Sequence, residues 1–230
     1  MRLRHDTISA IFDGVWVALV TNLLLVVGCL PLVVLLFTTE AARAWPLYAL
    51  VAPGCAPALC GAFAVMSAYS AGDTDGVFRR FGRAWRATLR PATRWAATAV
   101  AVLVVLGVDG YAAWGSRAGA LTLPILAMLT ALTAATALLG LVTIAERPGA
   151  RLRDVARACA YLAVRRWYLT ATSLLVLALL AQLFVARPAI ALGAAAAPLL
   201  YVVWANSRYS LRAALDPSAA APQIKGELHP

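Results

Sequence analysis

The apolar positions of this chain fall in long runs rather than in alternation. Polar residues give way near Val15 to an apolar stretch covering 15–39, and five more follow at 46–70, 95–114, 118–145, 167–186 and 188–206. A helix needs about 20 mostly apolar residues to cross about 30 Å of hydrocarbon. Each run therefore predicts a transmembrane helix. The expected fold is all-α, a polytopic membrane protein with six transmembrane helices in one domain over residues 1–210. Only Arg187 and Pro188 separate the last two runs, which fits either a tight turn or one bent helix. Residues 211–230, where Pro and Ala recur, predict a disordered tail. The start Met1-Arg2-Leu3-Arg4 is that of a signal peptide, but the apolar run after it outlasts the roughly 7 to 15 residues of a signal core, so a retained first span is expected.

Two stretches between the runs carry helical periodicity instead. After the capping residues Asp73, Thr74, Asp75 and Gly76, the apolar Val77, Phe78, Phe81, Trp85 and Leu89 fall on one face, with Arg79, Arg83, Arg86 and Arg90 opposite and Arg80 beside them. Pro91 is the expected stop. This pattern predicts a helix lying in the membrane interface, aromatic side in the acyl boundary and guanidiniums at the phosphates; a solvated basic loop is the alternative. A second such segment sets Leu152, Val155, Cys159 and Leu162 on an apolar stripe, with Arg153 and Arg157 off it. Each segment closes on an Arg-Trp pair, Arg94-Trp95 and Arg166-Trp167, suggesting a parallel repeat of span, basic amphipathic helix and span.

Composition strengthens the membrane reading and charge gives it a direction. Hydrophobic residues are 63% of the chain and charged ones 13%, with a mean hydropathy of +0.81, against roughly 45–50% and 25% in ordinary soluble domains. A soluble fold has no place for that much apolar surface. The net charge is +10. On the six-span scheme 17 of the 20 basic residues share one side, leaving only Arg43, Arg117 and Arg187 on the other. The positive-inside rule then places both termini in the cytoplasm. Tryptophans agree with an interfacial belt, with Trp16, Trp95, Trp167 and Trp204 at cytoplasmic ends and Trp45 and Trp114 at outer ends. Nucleic acid is not expected as a partner, because stacking needs aromatics beside the arginines, and here they lie on opposite faces. Anionic lipid headgroups are.

Candidate chemistry within the spans is sparse. Asp109 lies about 21 Å along its helix from Trp95, and a carboxylate near a helix centre costs about 2.5 to 3.5 kcal/mol to insert. It reads as an ion or proton site, as a partner for Arg43, Arg117 or Arg187, or as a helix-end carboxylate in headgroup water beside Gly107 and Gly110. Asn22 and Gln182 are candidates for interhelical hydrogen bonds, with structural glue the expected role. The stretch Pro53-Gly54-Cys55-Ala56-Pro57-Ala58, with Gly61, interrupts the second run with small residues, for close packing or to line a cavity. Cys29, Cys55, Cys60 and Cys159 have no zinc spacing and read as free thiols packed as small hydrophobes. The only histidines are His5 and His229, and no hydrolase, phosphate-loop or zinc-protease motif occurs. No catalysis, metal or cofactor is expected.

Several of these residues together resemble a known family. Asp13, Asn22-Leu23-Leu24, Cys29-Leu30-Pro31, the small-residue stretch from Gly54 to Ala58, Phe78-Arg79-Arg80-Phe81 and Asp109 are similar to the pattern of the YesL-like bacterial integral membrane proteins, over residues 12–115. The chain departs from that pattern where 32–53 intervene between Leu-Pro and the Gly/Pro/Ala stretch. The family has no established biochemical activity. What the resemblance implies is an accessory or regulatory subunit of carbohydrate uptake, packing against the permease subunits of a sugar importer. Two other readings stand beside it. One is a small stand-alone transporter or channel, built on Asp109 and the broken second run; the other is a lipid-binding scaffold anchored by the arginines.

Overall fold

A computed structural model describes residues 2–215 apart from 74, 117–118, 148, 150–155, 158, 162–164 and 166. Of the second amphipathic segment expected around Arg153 and Arg157, residues 150–155, 158 and 162–164 therefore lie outside the described residues, as does 216–230. The first five residues of the expected tail, 211–215, are helical.

The described residues are helical throughout, with no strand among them. α1 (Arg2–Gly28) and α2 (Leu30–Thr38) meet at a 77° bend at Cys29, where Pro31 enters the first turn of α2. Proline is tolerated there because the first-turn N–H has no helical acceptor, but its ring cannot follow an unbroken helix. α3 (Ala41–Val51) leads through a 3-10 turn, Ala52–Cys55, into α4 (Ala56–Ser70); Pro53 and Pro57 sit in the first turns of the 3-10 and α segments. α5 (Val77–Ala113) and α6 (Gly119–Glu146) form a long antiparallel hairpin. Gly115, at φ +79°, turns the chain between them, and the Ser116 hydroxyl accepts the Gly119 N–H at 2.9 Å to cap α6. α7 (Trp167–Ala186) follows. A single helical turn, Pro188–Ile190, and a π-helical turn, Ala191–Ala195, then lead into α8 (Ala196–Leu215).

Among the described residues three helices are long and apolar enough to cross a membrane: Arg43–Ser70, Val77–Ala113 and Gly119–Glu146. Phe12–Gly28 with Leu30–Thr38 makes a fourth if the bent pair is one broken span. These helices mark a membrane-embedded protein.

One expectation is overturned. The basic segment before the third run is not a separate interfacial helix, and Pro91 does not stop it. It is the first half of α5, a single helix of 37 residues, about 55 Å long at 1.5 Å per residue. The reason is packing. Phe81, Thr88 and Ala92 are buried, Thr88 and Ala92 completely, and their contact with α4 outweighs the roughly 3 kcal/mol that an interior proline costs. The aromatic stripe thus faces protein, not acyl chains, although Phe78 and Leu89 at its margin stay exposed. Arg94-Trp95 lies mid-helix, so it does not open a new span.

Close approach explains the core. Ala56, Ala58, Cys60, Gly61, Ala62, Phe63 and Val65 of α4 are all buried. A Cβ on Gly28 would lie 2.7 Å from Ala58 Cβ, and one on Gly61 2.9 Å from the Phe81 ring. In hydrocarbon there is no hydrophobic gain from joining helices, so small residues that let backbones come together supply the association. The interrupted second run packs tightly. Trp95 works the same way between α5 and α6. Its indole Nε1 donates to the Ala137 carbonyl at 2.9 Å, and its ring lies where a Gly140 Cβ would be, 2.3 Å from the nearest ring atom. Trp16, Trp45 and Trp114 are exposed, as belt residues should be, but Trp95 is half-buried and Trp204 is only 2% exposed. Those two belong to the interior, not to the belt.

Candidate functional site at the basic end of the bundle

The end of the bundle where α4 finishes and α5 begins gathers most of the described charge. Gly72 and Gly76, at φ +82° and +66°, let the chain reverse within a few residues. Between them Asp73 Oδ1 accepts the Asp75 N–H at 3.2 Å and Oδ2 accepts from Arg80 Nη2. The Arg80 guanidinium, with the Asp75 N–H, holds the Asp73 carboxyl below its ordinary range.

Across from this pair, α8 brings Arg208 to the end of α6. Arg208 Nε is 3.4 Å from Glu146 Oε1, its Nη1 donates to Ser70 Oγ at 3.0 Å, and its guanidinium carbon lies 5.0 Å from the Trp204 ring centroid. Both side chains of the ion pair are about a quarter exposed, 26% and 27%. Arg80, Glu146, Arg208 and Ser67 line an open cleft of about 540 Å³ floored by Phe63 and small alanines. That is within the usual range of small-molecule pockets, about 300–1,000 Å³.

Outside the cleft, Arg79, Arg83, Arg86, Arg90 and Arg94 are all exposed on α5. Steps of three and four residues put them on one stripe of the helix. The opposite face is consumed by α4, so the row faces outward while Arg80 turns inward to Asp73. Of the other basic candidates, Arg157 is exposed and Arg153 lies outside the described residues.

Asn22 is 2% exposed and joins α1 to the start of α8. Its Nδ2 donates to the Gly193 carbonyl at 3.0 Å, and its Oδ1 accepts the Ala197 N–H at 2.7 Å. Both partners border the π-helical turn, where the regular ladder of backbone bonds is displaced. The amide side chain thus satisfies backbone groups that a π-turn frees inside the bundle. Asp109 is exposed on the distal half of α5 and makes no ion pair among the described residues, while Arg43 pairs with Glu40 at 3.7 Å. Gln182 is exposed on α7. The three intramembrane candidates are therefore not brought together.

Sequence reasoning read Asp73 only as a capping residue, and gave no site role to Glu146, Arg208 or the pair Ser173 and Asn206, whose Asn206 Nδ2 donates to Ser173 Oγ at 2.6 Å. Asn206 and Ser173 are polar residues on the apolar α8 and α7, the same signal that singled out Asn22. Nothing local joins Glu146 to Arg208. No group of three or more His, Cys, Asp or Glu side chains able to hold a metal comes together among the described residues.

The fold and this charged end define a membrane-embedded helical protein with a basic face. No protein-family model, no curated protein and no solved structure matches the chain.

Proposed function

We propose that this chain is a non-enzymatic six-span protein of the bacterial cytoplasmic membrane, both termini inside, that serves as an accessory component of carbohydrate uptake and packs against importer permease subunits. The six spans are the α1–α2 pair, α3–α4, α5, α6, α7 and α8. The resemblance of residues 12–115 to YesL-like proteins motivates the uptake role. The observation that carries the docking role is the arginine row of α5. Its five guanidiniums point away from the bundle on a helix whose other face is already spent, which is an arrangement for binding something external. Anionic headgroups reach the end of the row nearest the hydrocarbon, and an acidic partner surface meets the rest.

Mild-detergent purification of the tagged chain from its native membrane, followed by mass spectrometry, tests this reading. Permease subunits should copurify in stoichiometric amounts, be lost on Arg79→Glu/Arg83→Glu/Arg86→Glu, and deletion should impair uptake of a specific sugar. Clean self-association with unchanged uptake across a sugar panel overturns it. If the triple reversal abolishes only binding to anionic vesicles, the chain is the lipid scaffold instead.

A second reading, a stand-alone transporter, is favoured by one observation. Helix irregularities recur at Cys29, at Ala52–Cys55 and at Ala191–Ala195, and discontinuous helices are the usual binding elements of transporters. It requires solute flux in liposomes that Asp109→Asn alters.

A further inference from the structure

The cleft where α4, α5, α6 and α8 meet changes character with depth. Its rim carries Arg80, Glu146 and Arg208, and its floor is Phe63 with small alanines. Ser70 and Glu146 are the last residues of two helices of membrane length, so the rim stands where headgroups begin. Phe63 lies two turns back along α4, about 10 Å deeper, where acyl chains begin. A phospholipid carries the same gradient over the same depth. The volume of about 540 Å³ exceeds what an isolated phosphate needs and leaves room for a glycerol beneath it.

The rim holds charges of both signs. Arg208 reaches Ser70 through Nη1 and stands 3.4 Å from Glu146 through Nε, while Arg80 reaches Asp73 through Nη2. Among the described residues no hydrogen bond takes Arg208 Nη2, Arg80 Nε and Nη1, Glu146 Oε2 or the Ser67 hydroxyl. Two guanidiniums thus keep donors for a phosphate, and one carboxylate keeps an oxygen for a cation. With Asp73 behind Arg80 the four side chains sum to zero charge, so a ligand of zero net charge matches them. A purely anionic one would set a like charge against Glu146.

We propose that the cleft binds one phospholipid with a zwitterionic primary-amine headgroup, of the phosphatidylethanolamine class. Its phosphate accepts from Arg80 and Arg208, its ammonium donates to Glu146, and its glycerol and first acyl carbons cover the Phe63 floor. The site is separate from the arginine row, since none of Arg79, Arg83, Arg86, Arg90 and Arg94 lines it. Permease copurification reads the row and lipid binding reads the cleft, so either can fail alone.

The test is a lipid titration of the delipidated full chain in mild detergent, read by native mass spectrometry, with dioleoyl phosphatidylethanolamine and dioleoyl phosphatidylcholine. The two lipids carry the same net charge, so the arginine row does not tell them apart. The ethanolamine lipid should bind about tenfold tighter, because the quaternary ammonium of choline has no proton for Glu146. Glu146→Gln, which keeps an acceptor for Arg208, should erase that preference. Arg208→Gln removes a phosphate anchor and Ser67→Trp fills the cleft, and each should weaken the ethanolamine lipid about tenfold. Glycerophosphoethanolamine, the headgroup without acyl chains, should not displace the lipid at equal concentration. Where a variant fails to accumulate, the wild-type ranking of the two lipids decides. Equal affinity for both lipids overturns the proposal, as does a preference that survives Glu146→Gln or binding indifferent to both cleft variants. Equal competition by glycerophosphoethanolamine overturns the lipid assignment, because the apolar floor would then contribute nothing.

Discussion

At the scale of single residues, neighbours on α1 make opposite predictions. Asn22 satisfies two backbone groups at the π-turn, the part-buried Gly193 carbonyl and the buried Ala197 N–H. Asn22→Ala should lower stability by about 1 to 3 kcal/mol, since each interhelical bond in a membrane protein averages about 0.6 kcal/mol and orphaned buried groups add to the loss. Thr21 is equally buried, yet its Oγ1 has no partner among the described residues. Thr21→Val keeps the shape and discards an unsatisfied hydroxyl, so it should leave stability unchanged or raise it by up to about 1 kcal/mol. Detergent unfolding curves of the two variants check both signs, and equal destabilisation would refute the assignment of the bonds. Asp73 supplies a pH prediction. Its carboxyl is held below the ordinary value by Arg80 and the Asp75 N–H, so the folded state takes up its proton less readily than the unfolded chain does. The pair's contribution is fully present above the carboxyl's ordinary unfolded value and is lost as pH falls through the depressed folded one. Comparing wild type with Asp73→Asn across acid pH should show the wild-type advantage vanish on acidification, and the effect should be small because the pair is solvated. An advantage that grows as pH falls would contradict the pairing.

Among elements, the α5 and α6 contact is the sharpest test of packing. Gly140→Ala drives a Cβ into the Trp95 indole and should cost about 1 to 3 kcal/mol, as overpacking does. In a Trp95→Ala background the same change should cost little, so the double-mutant cycle should show a coupling of comparable size; additive effects would mean the ring does not lie over Gly140. The same helices show what the sequence could and could not reveal. Long apolar runs at 46–70, 95–114 and 118–145 made the apolar parts of Arg43–Ser70, Val77–Ala113 and Gly119–Glu146 legible as membrane-length helices, because a 20-residue apolar segment has few other fates. The destination of the Val77, Phe81 and Trp85 stripe was not legible. An amphipathic period says that one face leaves water but not whether lipid or another helix receives it, and here α4 does. Pro91 misled for a related reason, since its local cost is visible in sequence and the burial of Thr88 and Ala92 that outweighs it is not. Of the site, the outward arginines were readable from spacing alone. The pairing of Arg208 with Glu146 and Ser70 was not, because it exists only once α4, α6 and α8 end at the same place.

For the whole molecule, the decisive quantity is the number of crossings, because it fixes which residues share a side. Among the described residues three helices meet the length and hydropathy needed to span, and the pair bent by 77° makes a fourth if it is one broken span; the six-span proposal adds α7, whose apolar core is the shorter stretch Ala171–Phe184, and α8. Six crossings put 17 of the 20 basic residues on one side, and four crossings put 18 there with Arg187 among them, so charge sets an even count and leaves α7 and α8 to be decided by other means. Packing shows that α7 and α8 are not peripheral. Leu180, Ala196, Ala197, Leu200, Val203 and Trp204 are in the buried core, and Asn206 of α8 reaches Ser173 of α7 at 2.6 Å. Reporter fusions report sidedness directly. A reporter active only in the periplasm should be silent after Ser70 and Glu146 and at the C-terminus, and active after Thr39, Gly115 and Arg187. Activity at the C-terminus would give an odd number of crossings and separate Arg208 from Arg80. The joint cleft of Arg80, Glu146 and Arg208 requires those residues on one side, so the same experiment that counts the spans also decides whether the charged end of the bundle can be a single surface.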